Sequence, residues 1–243
     1  MATNQKSKTK RTTTGQKAKE SRRTQAKQGT EELQEFPISR SMLRHIYDSM
    51  IQSRLWAQSQ GITPNISEAT AIPAALSVKA TDIFTAPADG RTLYPIVHKE
   101  IPVFAYDPAT LREQLCNLRR KHSHGIALAL VSESDFNSSG SLFQEALAKH
   151  LPIVWVVLAN RRFDPDAPVF EIDVDGHDAV AVFRVLSESI RRARNGRGPV
   201  VIHAHRANTP LSAESPDNPL GRFEAYLNAK GLSADDIHVL HRT

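Results

Sequence analysis

His203-Ala204-His205 sets two imidazoles two residues apart, and on a β-strand that spacing turns both to one face. Neutral imidazole is a common zinc or nickel ligand. Two ligands do not complete a site, and the same pair also reads as hydrogen-bonded or surface histidines at a strand end. His122-x-His124 repeats the spacing but falls in a helix-to-strand loop. The single cysteine, Cys116, lies beside Leu115 and Leu118 on a predicted helix and reads as a small packed hydrophobe rather than a nucleophile. Asp164, Asp166, Glu171, Asp173, Asp175 and Asp178 could bind a cation, yet they lack calcium-loop spacing and read as a solvated loop. Arg191, Arg192, Arg194 and Arg197 gather at a predicted helix C-terminus, where they complement the macrodipole, with a partner-facing patch as the secondary reading.

These residues must be positioned by a regular framework. Ser39 caps a predicted helix whose apolar residues Leu43, Ile46, Tyr47, Met50, Ile51 and Leu55 recur at three- and four-residue steps, closed by Gly61 and Pro64. A second helix is expected from Ser67 to Lys79, broken or kinked near Pro73, followed by strands at Ile83–Ala86 and Ile101–Tyr106. Asp107-Pro108 starts a helix to about Arg120. Then come a strand at Gly125–Val131, a polar turn, a helix ending near His150, and strands at Pro152–Leu158 and Glu171–Val174. A helix from Asp178 to Arg194 leads to the strand Val200–His205, and two terminal helices are expected, after Pro219 to about Lys230 and after Ser233. Strands apolar along their whole length, alternating with helices, predict an α/β fold with a parallel sheet flanked by helices on both faces.

The 243 residues carry 31 Lys or Arg against 26 Asp or Glu, but nine of the bases and only one acid, Glu20, fall in residues 1–30. Those residues contain no Leu, Ile, Val, Phe, Trp or Tyr. They have almost nothing to bury against the entropy of ordering, so 1–37 is expected to be a disordered basic tail and 38–243 a single α/β domain. The tail could bind nucleic acid through phosphates or simply be solvated. A transit peptide would need an amphipathic face that it lacks. No apolar run approaches the ~20 residues of a membrane span. One cysteine excludes an intramolecular disulfide framework, and the expected compartment is cytoplasmic.

The run Val174-Asp175-Gly176-His177-Asp178, continued by Val182-Phe183, Arg191 to Arg194 and Gly198-Pro199-Val200-Val201-Ile202, resembles the alpha subunit of the first component of the 2-oxo acid dehydrogenase complexes. Asn218-Pro219 through Tyr226-Leu227, with Gly231-Leu232, is similar to that family's C-terminal pattern, and Glu145-Ala146-Leu147 with Leu151-Pro152-Ile153-Val154 to its helix-to-strand passage. Ser67-Glu68-Ala69 fits more loosely. The resemblance implies a thiamine-diphosphate-binding-like fold, in which a Gly-Asp-Gly turn after one strand and an asparagine at the end of the next hold magnesium and diphosphate. It puts Ser132, Glu133 and Ser134 at the turn, Asn160 at the ligand asparagine and Arg162 at the extra backbone carbonyl. Glu133 and Asn160 are thereby the metal positions.

Measured against that pattern the motif is eroded. Glu133 extends the carboxylate by about 1.5 Å, whereas magnesium holds its ligands at about 2.0–2.1 Å in strict octahedral geometry. Ser132 and Ser134 add Cβ atoms where backbone must approach closely. The family's Tyr-Arg and Gly-Gly-Ser-Met-His segments are absent between Thr81 and Arg120, and Ala207–Asp217 lacks its loop histidine. The chain therefore reads as a shortened, catalytically inactive pseudoenzyme with a structural or regulatory role, binding the cofactor weakly and associating with itself or a beta-like subunit. Oxidative decarboxylation of a 2-oxo acid together with a beta subunit stays open. So does an interaction protein whose residues 1–30 bind nucleic acid.

Overall fold

The computed structural model describes residues 38–61, 67–87, 101–159, 169–205 and 218–232, all within one unit, Ile38–Thr243. The tail and the helix expected after Ser233 lie outside the described residues. Helix α1 (Arg40–Ser59) starts where Ser39 Oγ accepts the Met42 N–H at 3.1 Å. Helix α2 (Glu68–Ser77) runs unbroken through Pro73, which is buried with the alanines around it. Strands β1 (Ile83–Ala86) and β2 (Val103–Ala105) precede α3 (Pro108–Lys121), capped by Asp107 as its sequence predicts. Next in the chain are β3 (Ala127–Ser132), α4 (Glu133–Ser138), α5 (Gly140–Lys149), β4 (Ile153–Ala159) and β5 (Phe170–Asp175). Helix α6 (Ala179–Arg194), with Asp178 accepting from Val180 and Ala181 N–H, strand β6 (Val200–His205) and α7 (Pro219–Ala229) complete the unit.

The six strands form one all-parallel sheet in the order β2-β1-β3-β4-β6-β5. This is the predicted α/β class. Alternate residues of each strand serve opposite faces. Leu128, Leu130, Val154, Val156 and Ile202 pack with α2 and α6, while Ala129, Val131, Ile153, Trp155 and Val157 pack with α3 and α5. A third cluster joins Leu43, Ile46, Tyr47 and Met50 of α1 to Phe223 and Leu227 of α7. None of the described helices is long and apolar enough to cross a membrane.

Two expectations about side chains need correction. Leu55 is 60% exposed; it lies about 120° around α1 from Leu43 at about 100° per residue, and Ser53 and Ala57 occupy the buried stripe instead. Cys116 is exposed for the same reason, since α3 buries Leu111, Leu115 and Leu118 and the cysteine is one step off that line.

Candidate functional site

In a parallel sheet the carboxyl ends of all strands share one edge, and in open α/β sheets ligands dock there. Register places Ser132 opposite Leu158 at the end of β3 and β4, and His205 beside both Ala159 and Asp175 at the end of β4, β6 and β5.

The Ser-Glu-Ser segment is not the polar turn that its composition suggests. Ser132 ends β3 and at once caps α4, with φ −72° and ψ 163°. Its Oγ accepts the Asp135 N–H at 3.1 Å and donates to Asp135 Oδ2 at 2.7 Å. A serine hydroxyl that accepts the N–H three residues on starts a helix, and the Ser-x-x-Asp spacing is the sequence signal for α4. Glu133 and Asp135 thus stand in the first turn of a helix, where carboxylates offset the positive end of the dipole. Neither serine uses a positive φ. Glu133 points to solvent, and Asp135 is half-buried against Ser132. Asn160 and Arg162 lie outside the described residues, so the second half of the implied ligand set has no described geometry.

Beneath α4 is a packed aromatic floor. Phe136 meets the Trp155 ring edge-on at 5.9 Å between centroids, and Phe143 lies 5.8 Å from Trp155. The Tyr106 hydroxyl accepts from Trp155 Nε1 at 3.3 Å and shares a 2.6 Å hydrogen bond with Ser139 Oγ, which itself donates to the Asp135 carbonyl. Burial raises the Tyr106 phenol above its usual pKa, against the opposing pull of the Ser139 and Trp155 bonds. The sequence does not connect these residues, which come from separate elements.

The acidic stretch is partly strand, not solvated loop. Glu171, Asp173 and Asp175 alternate along β5, and cationic or titratable partners interleave with them. His203 Nε2 lies 3.5 Å from Glu171 Oε2, His205 Nε2 is 2.8 Å from Asp173 Oδ1, and Arg222 Nη1 donates to Asp175 Oδ2 at 2.7 Å. Asp178 is a helix cap; Asp164 and Asp166 lie outside the described residues. The two imidazoles do share a face, as their spacing predicts, and each sits against a carboxylate. Among the described residues no group of three His, Cys, Asp or Glu is arranged to hold a metal ion.

Asp175 stays below the usual carboxylate range. Burial pushes its pKa upward, and the His177 N–H and the Arg222 guanidinium outweigh that push. Gly176 follows in a tight approach, because a Cβ there would lie 2.8 Å from the His205 carbonyl oxygen and 3.0 Å from Thr70 Oγ1. Thr70 Oγ1 in turn donates to the Gly176 carbonyl. Nearby, Arg54 of α1 bridges Glu68 of α2 and Asn218, the cap of α7. Together these contacts fasten the α2, α6 and α7 N-termini to the strand ends.

His203 is 2% exposed. Burial lowers its pKa, with Asp173 and Glu133 pulling it up and His205 adding to the depression. Above about pH 6.5 the imidazole is neutral both folded and unfolded. As pH falls through the interval below that value, the unfolded chain binds the extra proton first, so stability drops. The urea midpoint is expected to decline from pH 7 toward 5, and His203→Gln should flatten part of that decline. Superimposable pH profiles for the two proteins would contradict this role.

A cavity of about 600 Å³, lined by Asp107, Arg112, Leu142, Glu145 and Lys149 among others, sits between α3 and α5. Arg112 and Lys149 both pair with Glu145 there, and none of the His203, His205 or Glu133 group lines it.

No known family profile matches the chain. It is similar to the pyruvate dehydrogenase E1 component subunit alpha of two strains of Staphylococcus epidermidis, at 37% identity over 82 residues in each case. The match covers 27% of this chain, and the chain spans 22% of the length of those curated relatives. The relation is distant and partial.

Proposed function

We propose that the protein is an E1-alpha-like scaffold that has exchanged cofactor chemistry for a structural or regulatory role in an assembly. The observation that carries this reading is the start of α4. Where the resemblance implies glycine-flanked backbone open to a diphosphate, Ser132 is spent on capping, and Glu133 and Asp135 fill the first helical turn. Helix N-termini attract phosphate through free N–H groups and the dipole. Here a side chain takes the Asp135 N–H, and two carboxylates offset the dipole. Asp173, paired with His205, adds negative charge at the same edge. A diphosphate meets repulsion from these carboxylates at the described part of the site, which supports reading the described residues as a poor fit to the thiamine diphosphate that the resemblance implies.

The resemblance is stronger in the framework around the turn than at the turn itself. Asn218 through Leu227 forms a capped helix, and Asp178 to Arg194 another, both packed on the α1 layer through Phe223, Leu227 and Val180. Association with itself or with a beta-like subunit therefore stays within reach of this chain. Light scattering over a concentration series, with and without a candidate beta chain, tests it. A dimer or mixed complex is expected, and a strict monomer that never joins a beta chain would remove the scaffold role. Stable obligate interfaces commonly bury more than about 2,000 Å², enough to persist at micromolar concentration.

A further inference from the structure

We infer that the end of the sheet opposite the strand-end carboxylates is a polyphosphate-binding face, suited to the backbone of a nucleic acid. The parallel fold brings the C-termini of α2, α3, α5 and α6 and the starts of the strands that follow them to one end. Six exposed cations stand there: Lys79, Arg119, Arg120, Lys121, Lys149 and Arg197. They come from four separate segments, yet those segments are joined. Arg194 Nη1 donates to the His124 carbonyl at 2.9 Å, tying the end of α6 to the loop after α3. Asp82, below Lys79, accepts the Ile126 N–H at 3.1 Å. Gly198 lies so close to Leu151 that a Cβ there would be 2.5 Å from the Leu151 carbonyl oxygen, which joins the loop after α6 to that after α5.

Carboxylates on this side are already engaged. Asp82 is held by Arg194 and Glu188 by Arg191. Lys149 is held by Glu145, while among the described residues no ion pair occupies Lys79, Arg119, Arg120, Lys121 or Arg197. The opposite end carries Asp107, Glu133, Asp135, Asp173, Asp175 and Asp178. Residues 31–243 are slightly acidic in total, with 22 bases and 25 acids. Among the described residues, the charged side chains named here separate along the strand axis. Complementing the helix dipoles accounts for the cations in the last turns of α3, α5 and α6, but not for Lys79 and Arg197, which lie in loops.

Phosphate backbone is a better fit than an acidic protein surface. Protein interfaces centre on buried aromatic or apolar anchors, and among the described residues the large exposed hydrophobics, Leu55 on α1 and Phe104 on β2, lie on neither these loops nor these helix ends. Phosphates need only cations and release counterions on binding. The nine bases in residues 1–30 supply the same chemistry in the same chain.

The test is fluorescence anisotropy of the full chain with a labelled mixed-sequence DNA duplex, between about 50 and 200 mM salt. Arg119→Gln/Arg120→Gln/Lys121→Gln is expected to weaken binding at least about tenfold at the low-salt end. The log–log salt slope should shrink by about 2–3, since each phosphate no longer neutralised takes away about 0.9. Lys79→Gln/Arg197→Gln, on other loops, should shift both in the same direction. Unchanged urea midpoints would show that both variants fold. Wild-type slope and affinity in both variants, or no binding by the full chain at low salt, would overturn the inference. Displacement by polyglutamate as effective as by unlabelled duplex, charge for charge, would overturn it in favour of an acidic protein partner.

Discussion

Asp82→Ala is expected to cost about 3–5 kcal/mol, enough to leave much of the protein unfolded, since small domains are stable by only about 5–15 kcal/mol. The Asp82 side chain is 0% exposed and its partner Arg194 17%. Its two oxygens accept from Arg194 Nη1 and Nη2 at 3.1 and 2.6 Å, from Lys79 N–H at 2.8 Å and from Ile126 N–H at 3.1 Å. Removing the carboxylate strands a guanidinium and two backbone donors in a place with little water. Asp82→Ala/Arg194→Leu should recover part of the loss, because the uncompensated charge goes with its partner. Urea unfolding of the three proteins checks this. An Asp82→Ala stability within about 0.5 kcal/mol of wild type would place the pair among surface ion pairs of little weight.

Trp155→Ala should cost a similar ~3–5 kcal/mol, the usual range for emptying a large buried aromatic site. Trp155 is fully buried, lies under Phe136 and Phe143, and donates to Tyr106. Loss of the indole removes the floor on which α4 rests and leaves the Tyr106 hydroxyl with Ser139 alone. Helix α4 is thus coupled to the core. Proteolysis should cut near Ser138 faster in Trp155→Ala than in Trp155→Phe, which keeps an aromatic plane but no donor. Equal cutting of both variants and wild type would mean that α4 is held by its own cap.

The framework was legible where a local signal was strong. Asp107, Asp178 and Ser39 announce their helices because each side chain satisfies a free N–H one turn ahead. The strand Val200–His205 is read at its true bounds, since an apolar start led by a Gly-Pro pair and followed by a polar loop has few other uses. Helix α4 was missed because none of its residues is fully buried, so no apolar period marks it, and its only sign is Ser132 with Asp135. Asp82 and Arg194 stand 112 positions apart and meet only once β1 lies beside β3. The partners of His203 and His205 were equally hidden, because pairing with Glu171 and Asp173 depends on β5 lying next to β6 and not beside β4. Total charge misled in the same way, as a sum carries no record of which end of the sheet each side chain occupies.

The central claim is that the α4 start excludes the cofactor, and calorimetric titration of the full chain with thiamine diphosphate in excess magnesium tests it most directly. Wild type is expected to bind no tighter than about millimolar, or ~4 kcal/mol, and the same limit should hold in any complex with a beta-like partner. Micromolar binding, near 8 kcal/mol, would contradict the claim and make this chain a working member of an oxidative decarboxylase.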